Sequence, residues 1–181
     1  MIRSIPVVLA CALICSSALA QNTPGAETSL TSDLVGLDGT VLGKVTLRET
    51  PAGVLVSADA HGLPPGEHGF HFHEKGMCAA ADKFVSAGGH FAAGGAQHGL
   101  MSAGGHHGGD MPNQYAGADG MLRAQVLNTG VTLSSGPHSL LDADGSALVI
   151  HAGPDDYASQ PAGNAGGGIA CAVIAGVASS R

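Results

Sequence analysis

Tryptophan is absent from the 181 residues, and the aromatic set is only two tyrosines and four phenylalanines. Basic residues are scarce too: seven Lys and Arg stand against fourteen Asp and Glu. One of the seven, Arg3, falls in an N-terminal leader, so the rest of the chain has six bases for fourteen acids. No basic stripe exists to follow a phosphate backbone, which argues against nucleic acid as a partner. Beyond the leader, no apolar run is long enough to cross a membrane as a helix. Nor does the chain carry a helical hydrophobic period.

The leader has distinct parts. Arg3 is a positive start, residues 5–15 are an apolar core, and Ala18-Leu19-Ala20 is a small-residue cleavage site. These predict a signal peptide over 1–20, cleaved near Ala20. They also predict a periplasmic or secreted protein with no membrane association beyond export. Cys11 and Cys15 lie inside the leader, but the residues before them match a lipidation motif poorly. The remaining chain, about 160 residues, suits one domain of ordinary size. Residues 21–28 read as a flexible start and 29–181 as that single domain. It keeps two cysteines, Cys78 and Cys171. In an exported chain such a pair reads as a disulfide, with two buried free thiols as the alternative.

What the chain has in abundance is glycine, at 29 residues. That composition suits turns and long loops rather than helices. Alternating apolar segments predict about eight short strands, at 29–36, 41–50, 53–61, 67–73, 114–118, 121–129, 147–151 and 169–177. Asp38-Gly39 and Asp119-Gly120 are hairpin turn signals. The stretches 74–112 and 152–168 have no period. Loops this long in a compact domain are functional or disordered, and four histidines in the first favour function. The fold class is an all-β sandwich or barrel with two long loops.

The chemistry centres on Gly69-Phe70-His71-Phe72-His73-Glu74. Alternate residues of a strand share a face. His71 and His73 therefore aim at one point, while Phe72 turns into the opposite, apolar side. Two imidazoles on one face are half of a metal site. His90, His98, His107 and Asp110 follow within one loop, and His151 ends a later strand. Three imidazoles and a carboxylate suit tetrahedral zinc, and a further set of imidazoles suits copper.

The pattern resembles the copper,zinc superoxide dismutases of the bacterial exported type. Their signature strand matches Gly69-Phe70-His71-Phe72-His73, and their Gly-Gly-His matches Gly88-Gly89-His90. The resemblance implies copper ligands His71, His73, His90 and His151, and zinc ligands His90, His98, His107 and Asp110, with His90 bridging the metals. The copper ligands would be the catalytic residues. His106 neighbours His107, but only His107 keeps the three-residue step to Asp110. Asp155 would join a copper-ligand and a zinc-ligand histidine, with adjacent Asp156 as the alternative. Cys78 and Cys171 match the family's disulfide. The implied fold is an eight-stranded Greek-key β-barrel or sandwich of immunoglobulin-like type. The implied activity is conversion of superoxide to oxygen and hydrogen peroxide by Cu(II)/Cu(I) cycling, with structural zinc. Both homodimers and monomers occur in the family. His61, His68 and His138 fall outside the ligand pattern and read as surface residues.

One position departs from the family. An arginine usually stands three residues before the second cysteine, where this chain has Gly168. In the family that arginine attracts the anionic substrate. Its loss predicts a slower, less salt-sensitive reaction. Lys75 and Lys83 in the first loop are the candidate replacements. The main rival reading is a periplasmic copper- or zinc-holding, or copper-delivery, protein on the same fold.

Overall fold

The computed structural model describes residues 28–176. The expected signal peptide, its cleavage near Ala20 and nearly all of the flexible start lie outside the described residues. Nine strands make up one antiparallel sheet. They are β1 (Ser29–Gly36), β2 (Val41–Thr50), β3 (Gly53–Ala60), β4 (Gly66–His68), β5 (Phe70–His73), β6 (Gln114–Ala116), β7 (Leu122–Asn128), β8 (Ser146–His151) and β9 (Gly168–Ile174). The order across the sheet is β4-β6-β7-β3-β2-β1-β9-β8-β5. β4, β6 and β7 lie side by side, and β3 crosses over to pair with β7, which is a Greek key.

The strand expected over 67–73 is two strands in the structure. β4 pairs with β6 at one edge of the sheet, and β5 pairs with β8 at the other. Gly69 joins them. It donates its N–H to Gly153 O at 2.8 Å and accepts from His151 N at 2.9 Å. One short segment thus supplies both edges and nearly closes the sheet into a barrel. Side-chain alternation continues through the segment, so the pattern alone read it as one strand.

β5 is buried on both faces because each face has its own cover. Phe70 and Phe72 point into the barrel core with Leu148, Ile150, Ala170 and Ala172. Both rings are fully buried, each worth about 1.5–3 kcal/mol relative to exposure. His71 and His73 point outward, beneath the long loops. Their cross-strand partners Val149 and Ala147 join Cys171, Phe84 and Ala87 in a smaller cluster outside the barrel. The pairing shifts register at the end of β8: Ile150 faces Ala170 and His151 faces Gly168, so the extra residue, Ile169, makes a bulge in β9.

The first long loop contains two single 3-10 turns, Ala80–Asp82 and Val85–Ala87. A disulfide from Cys78 to Cys171 ties it to β9 across 93 residues of sequence, with the Cα atoms 5.7 Å apart. Closing so long a loop is worth about 4–5 kcal/mol in the chain-entropy view. We expect Cys78→Ser to lower unfolding stability by that order, measured by urea titration. The same loss should follow when the native protein is titrated in reductant. A drop below about 1 kcal/mol would mean that the unfolded chain gains little from release.

Candidate metal centre

Two groups of donor atoms meet outside the barrel. His71, His73, His90 and His151 form one, and His90, His98, His107 and Asp110 form the other. Within each group all donor atoms lie within 4.8 Å of one another. His90 belongs to both. Its ring centroid lies 4.2 Å from that of His71, 5.0 Å from those of His73 and His98, and 5.6 Å from that of His107.

The hydrogen bonds of the far nitrogens orient each ring. His73 Nδ1–H donates to Gly88 O at 2.8 Å, and His151 Nδ1–H donates to Gly166 O at 2.9 Å. Both rings then present bare Nε2 lone pairs, which face each other at 3.3 Å. His71 Nε2–H donates to Asp155 Oδ2 at 2.7 Å, leaving His71 Nδ1 buried without a partner. His90 Nε2 and His107 Nδ1 are likewise buried and unpartnered. A buried polar atom left unpaired costs about 1–3 kcal/mol. Opposed lone pairs and orphaned nitrogens at one site fit cations placed between them.

Asp110 organises the second group. Its Oδ1 is approached by His90 Nδ1 at 2.8 Å, His98 Nδ1 at 3.1 Å and His107 Nδ1 at 3.5 Å. Its Oδ2 accepts from the backbone N–H of Gly99 and of His107. Three imidazoles and one carboxylate match a closed zinc site, and four imidazoles match copper.

Asp155 connects the groups. Oδ2 holds His71, while Oδ1 accepts from His98 Nε2–H at 3.1 Å and from Tyr157 N at 2.6 Å. The neighbouring Asp156 is exposed and instead caps a turn at Ala158 and Ser159. A Cβ at Gly163 would lie 1.8 Å from Asp155 Oδ1 and 2.6 Å from His98 Nε2, and φ there is +71°. Only glycine fits both the space and the backbone.

Sequence reasoning missed several supporting residues. Asn113 and Asp155 exchange hydrogen bonds, through Asn113 Nδ2 to Asp155 O and Asp155 N to Asn113 Oδ1, both 2.9 Å. Gln160 does the same for His98, accepting from its N–H at 3.0 Å and donating to its carbonyl at 2.8 Å. No spacing rule marks such amides. His68, expected at the surface, is buried at 2% exposure. Its Nδ1 lies 2.7 Å from His151 O and its Nε2 lies 2.8 Å from Pro64 O. The end of β4 lies against the end of β8, so a residue on the polar phase of its strand is enclosed. His61, His106 and His138 are exposed.

Burial dominates the electrostatics. It pushes His73 down to about 3 and His151 to about 4, with repulsion from neighbouring imidazoles adding to the effect. His71 and His107 are also lowered, chiefly by burial. Burial disfavours the Asp110 carboxylate, but hydrogen bonds from His90 and Gly99 outweigh it and hold the group below the usual range. Asp155 is lowered likewise, by His71, Tyr157 N and His98 against burial. At neutral pH His71, His73, His107 and His151 are therefore neutral and Asp110 and Asp155 ionised, which is the state that binds cations.

Fold and donor sets together define a β-barrel metalloprotein with two adjoining cation sites that share one histidine. The family profile for Copper/zinc superoxide dismutase (SODC) matches residues 41–174, and the chain belongs to that family. It is 52% identical over 145 residues to superoxide dismutase [Cu-Zn] 2 of Aquifex aeolicus, covering 79% of this chain and 84% of that protein. Among solved structures, it resembles a SOD-like protein from Bacillus subtilis at 37% identity and a TM-score of 0.76. That match covers 80% of this chain and 97% of the other. The Cu/Zn superoxide dismutase from Brucella abortus matches at 30% identity and a TM-score of 0.67, covering 81% and 99%.

Two expectations follow. Asp155→Asn keeps the size of the side chain but weakens the hold on His71 and His98. Metal affinity should fall about 10- to 100-fold in chelator competition, and unchanged affinity would show that the rings need no such hold. The second concerns acid. Unfolded imidazoles take protons near 6.5, whereas folded His73 and His151 resist to about 3 and 4. Between these limits the unfolded chain binds more protons, so stability falls as pH falls. The melting temperature of metal-free protein should be level above pH 7 and decline from about 6.5 toward 4. A rise on acidification would contradict this.

Proposed function

We propose that this protein is a superoxide dismutase, turning two superoxide anions and two protons into one dioxygen and one hydrogen peroxide. Copper is held by His71, His73, His90 and His151, and zinc by His90, His98, His107 and Asp110. The observation that carries the reading is His90, which belongs to both donor groups, with its Nδ1 on Asp110 and its Nε2 buried without a hydrogen-bond partner. An imidazole aimed at both groups is the element that a zinc-only or storage site does not need. Membership of the copper/zinc superoxide dismutase family supports the same reading.

When bound, copper supplies one-electron cycling between Cu(II) and Cu(I), and zinc supplies fixed positive charge. The chain's own residues do the rest. Gly88 O and Gly166 O fix the Nε2 tautomers of His73 and His151 as electron-pair donors. Asp155 fixes the opposite choice at both His71 and His98, whose Nε2–H groups it accepts, so that Nδ1 is the electron-pair donor. His90 Nε2 is buried with no hydrogen-bond partner of its own, so it is the atom able to carry a proton to the reduced oxygen species.

The leader and the disulfide support a periplasmic or secreted protein, with residues 1–20 removed near Ala20 and a single domain over 29–181. Superoxide is the partner small molecule. Protein loaded with one copper and one zinc per chain should inhibit superoxide-driven cytochrome c reduction, and His71→Ala should lose at least about 100-fold of that activity, as removal of a metal ligand does. Inactive wild type with full metal content would sink the proposal and favour a metal-holding role.

A further inference from the structure

A cavity of about 270 Å³ opens beside His73 and His151. Much of its lining is apolar or glycine: Phe84, Val85 and Val149 on one part, Gly166, Gly167 and Gly168 on another. Two charged residues line it, Lys83 and Asp82. Asp82 is engaged in its own turn, where its carboxylate accepts from Ser86 N at 3.1 Å and from Ser86 Oγ at 3.5 Å. Lys83 is exposed and forms no ion pair among the described residues. Its backbone is left-handed at φ 58°, closing the turn Ala80–Asp82 by donating its N–H to Ala80 O.

The space around Gly168 is already filled. A Cβ there would meet Val149 Cγ1 at 2.9 Å, Phe84 Cδ2 at 3.1 Å and Lys83 O at 3.2 Å. Phe84 is 2% exposed and also left-handed, at φ 66°. The pair Lys83-Phe84 therefore packs its ring and backbone over the glycine. That packing places a lysine at the cavity that leads to the two imidazoles. The loop is held there by the disulfide at Cys78. The other lysine of the loop, Lys75, is exposed and does not line the cavity.

The whole chain carries a formal charge of −7, so an anion approaching at random meets a repulsive surface. Apolar walls around a single cation focus its field toward the opening. We propose that Lys83 is the residue that attracts the anionic substrate in this protein, from the disulfide-tied loop rather than from β9. The inference rests on the dismutase reading for the identity of the substrate, but not for the attraction of small anions. Because Lys83 is exposed, its pull is screened by salt over about 10 Å at 0.1 M.

The test compares wild type, Lys83→Gln, Lys83→Glu and Lys75→Gln, each loaded with copper and zinc and checked for metal content and melting temperature. Azide affinity is read from the copper absorption band, and the dismutation rate is followed by pulse radiolysis across ionic strength. We expect Lys83→Gln to weaken azide binding about threefold and Lys83→Glu about tenfold, with similar rate losses at low salt that vanish near 0.5 M. Lys75→Gln, with the same change in net charge, should match wild type in both. Unchanged azide affinity in both Lys83 variants overturns the proposal, as does an equal loss in Lys75→Gln. An inactive wild type overturns the dismutase reading instead, and the azide titration still decides the role of Lys83.

Discussion

A carboxylate with two oxygens pointing in different directions sets this site. Asp155 holds His71 through one oxygen and His98 through the other, and the two rings belong to different donor groups. An imidazole offers a lone pair on one nitrogen only when the other keeps its proton. By fixing that proton at Nε2 of both rings, Asp155 turns both Nδ1 atoms toward the centre. Residues from both sides secure Asp155: Asn113, just before β6, clasps its backbone, while in the second loop Gln160 clasps the backbone of His98 and Gly163 leaves room for the Asp155 oxygen. The loop is long because it must wrap around one buried acid.

The barrel supplies what the loops cannot. Loops alone place atoms loosely, whereas a strand buried on both faces places them to a fraction of an ångström. β5 has Phe70 and Phe72 in the core and His71 and His73 outside, so packing energy gained on one face positions donors on the other. At the end of β8, opposite the bulge in β9, His151 joins the same donor group. The disulfide extends this to the first loop, joining it to the strand that lies beside β8. Stability and site geometry are thus carried by the same residues, and changes in either are coupled.

Much of this was legible in the sequence. Period-two alternation revealed most strands, Asp-Gly pairs marked the turns, and the steps among His71, His73, His90, His98, His107, Asp110 and His151 picked out the residues that the fold gathers into two donor groups. What was hidden depends on contacts distant in sequence. The break at Gly69 leaves alternation intact while the hydrogen-bonding partner changes, so no pattern registers it. His68 looks like a surface residue until the end of β8 lies against it. Asp155 and Asp156 are indistinguishable as letters; only the fold turns one inward. Gly168 showed what was missing from β9 but not that Phe84 had filled its place.

The outer side of β5 bears one more consequence. Phe72 N donates to Gly109 O, Phe91 N donates to Phe72 O, and single bridges join His73 with His90 and His71 with Asp110. The segment that brings in ligands also satisfies the strand's outward-facing backbone groups. An unsatisfied strand edge is a template for pairing with another molecule. Order in the ligand loop therefore guards against self-association: loosening it would strip the donors and, in the same motion, bare an adhesive seam.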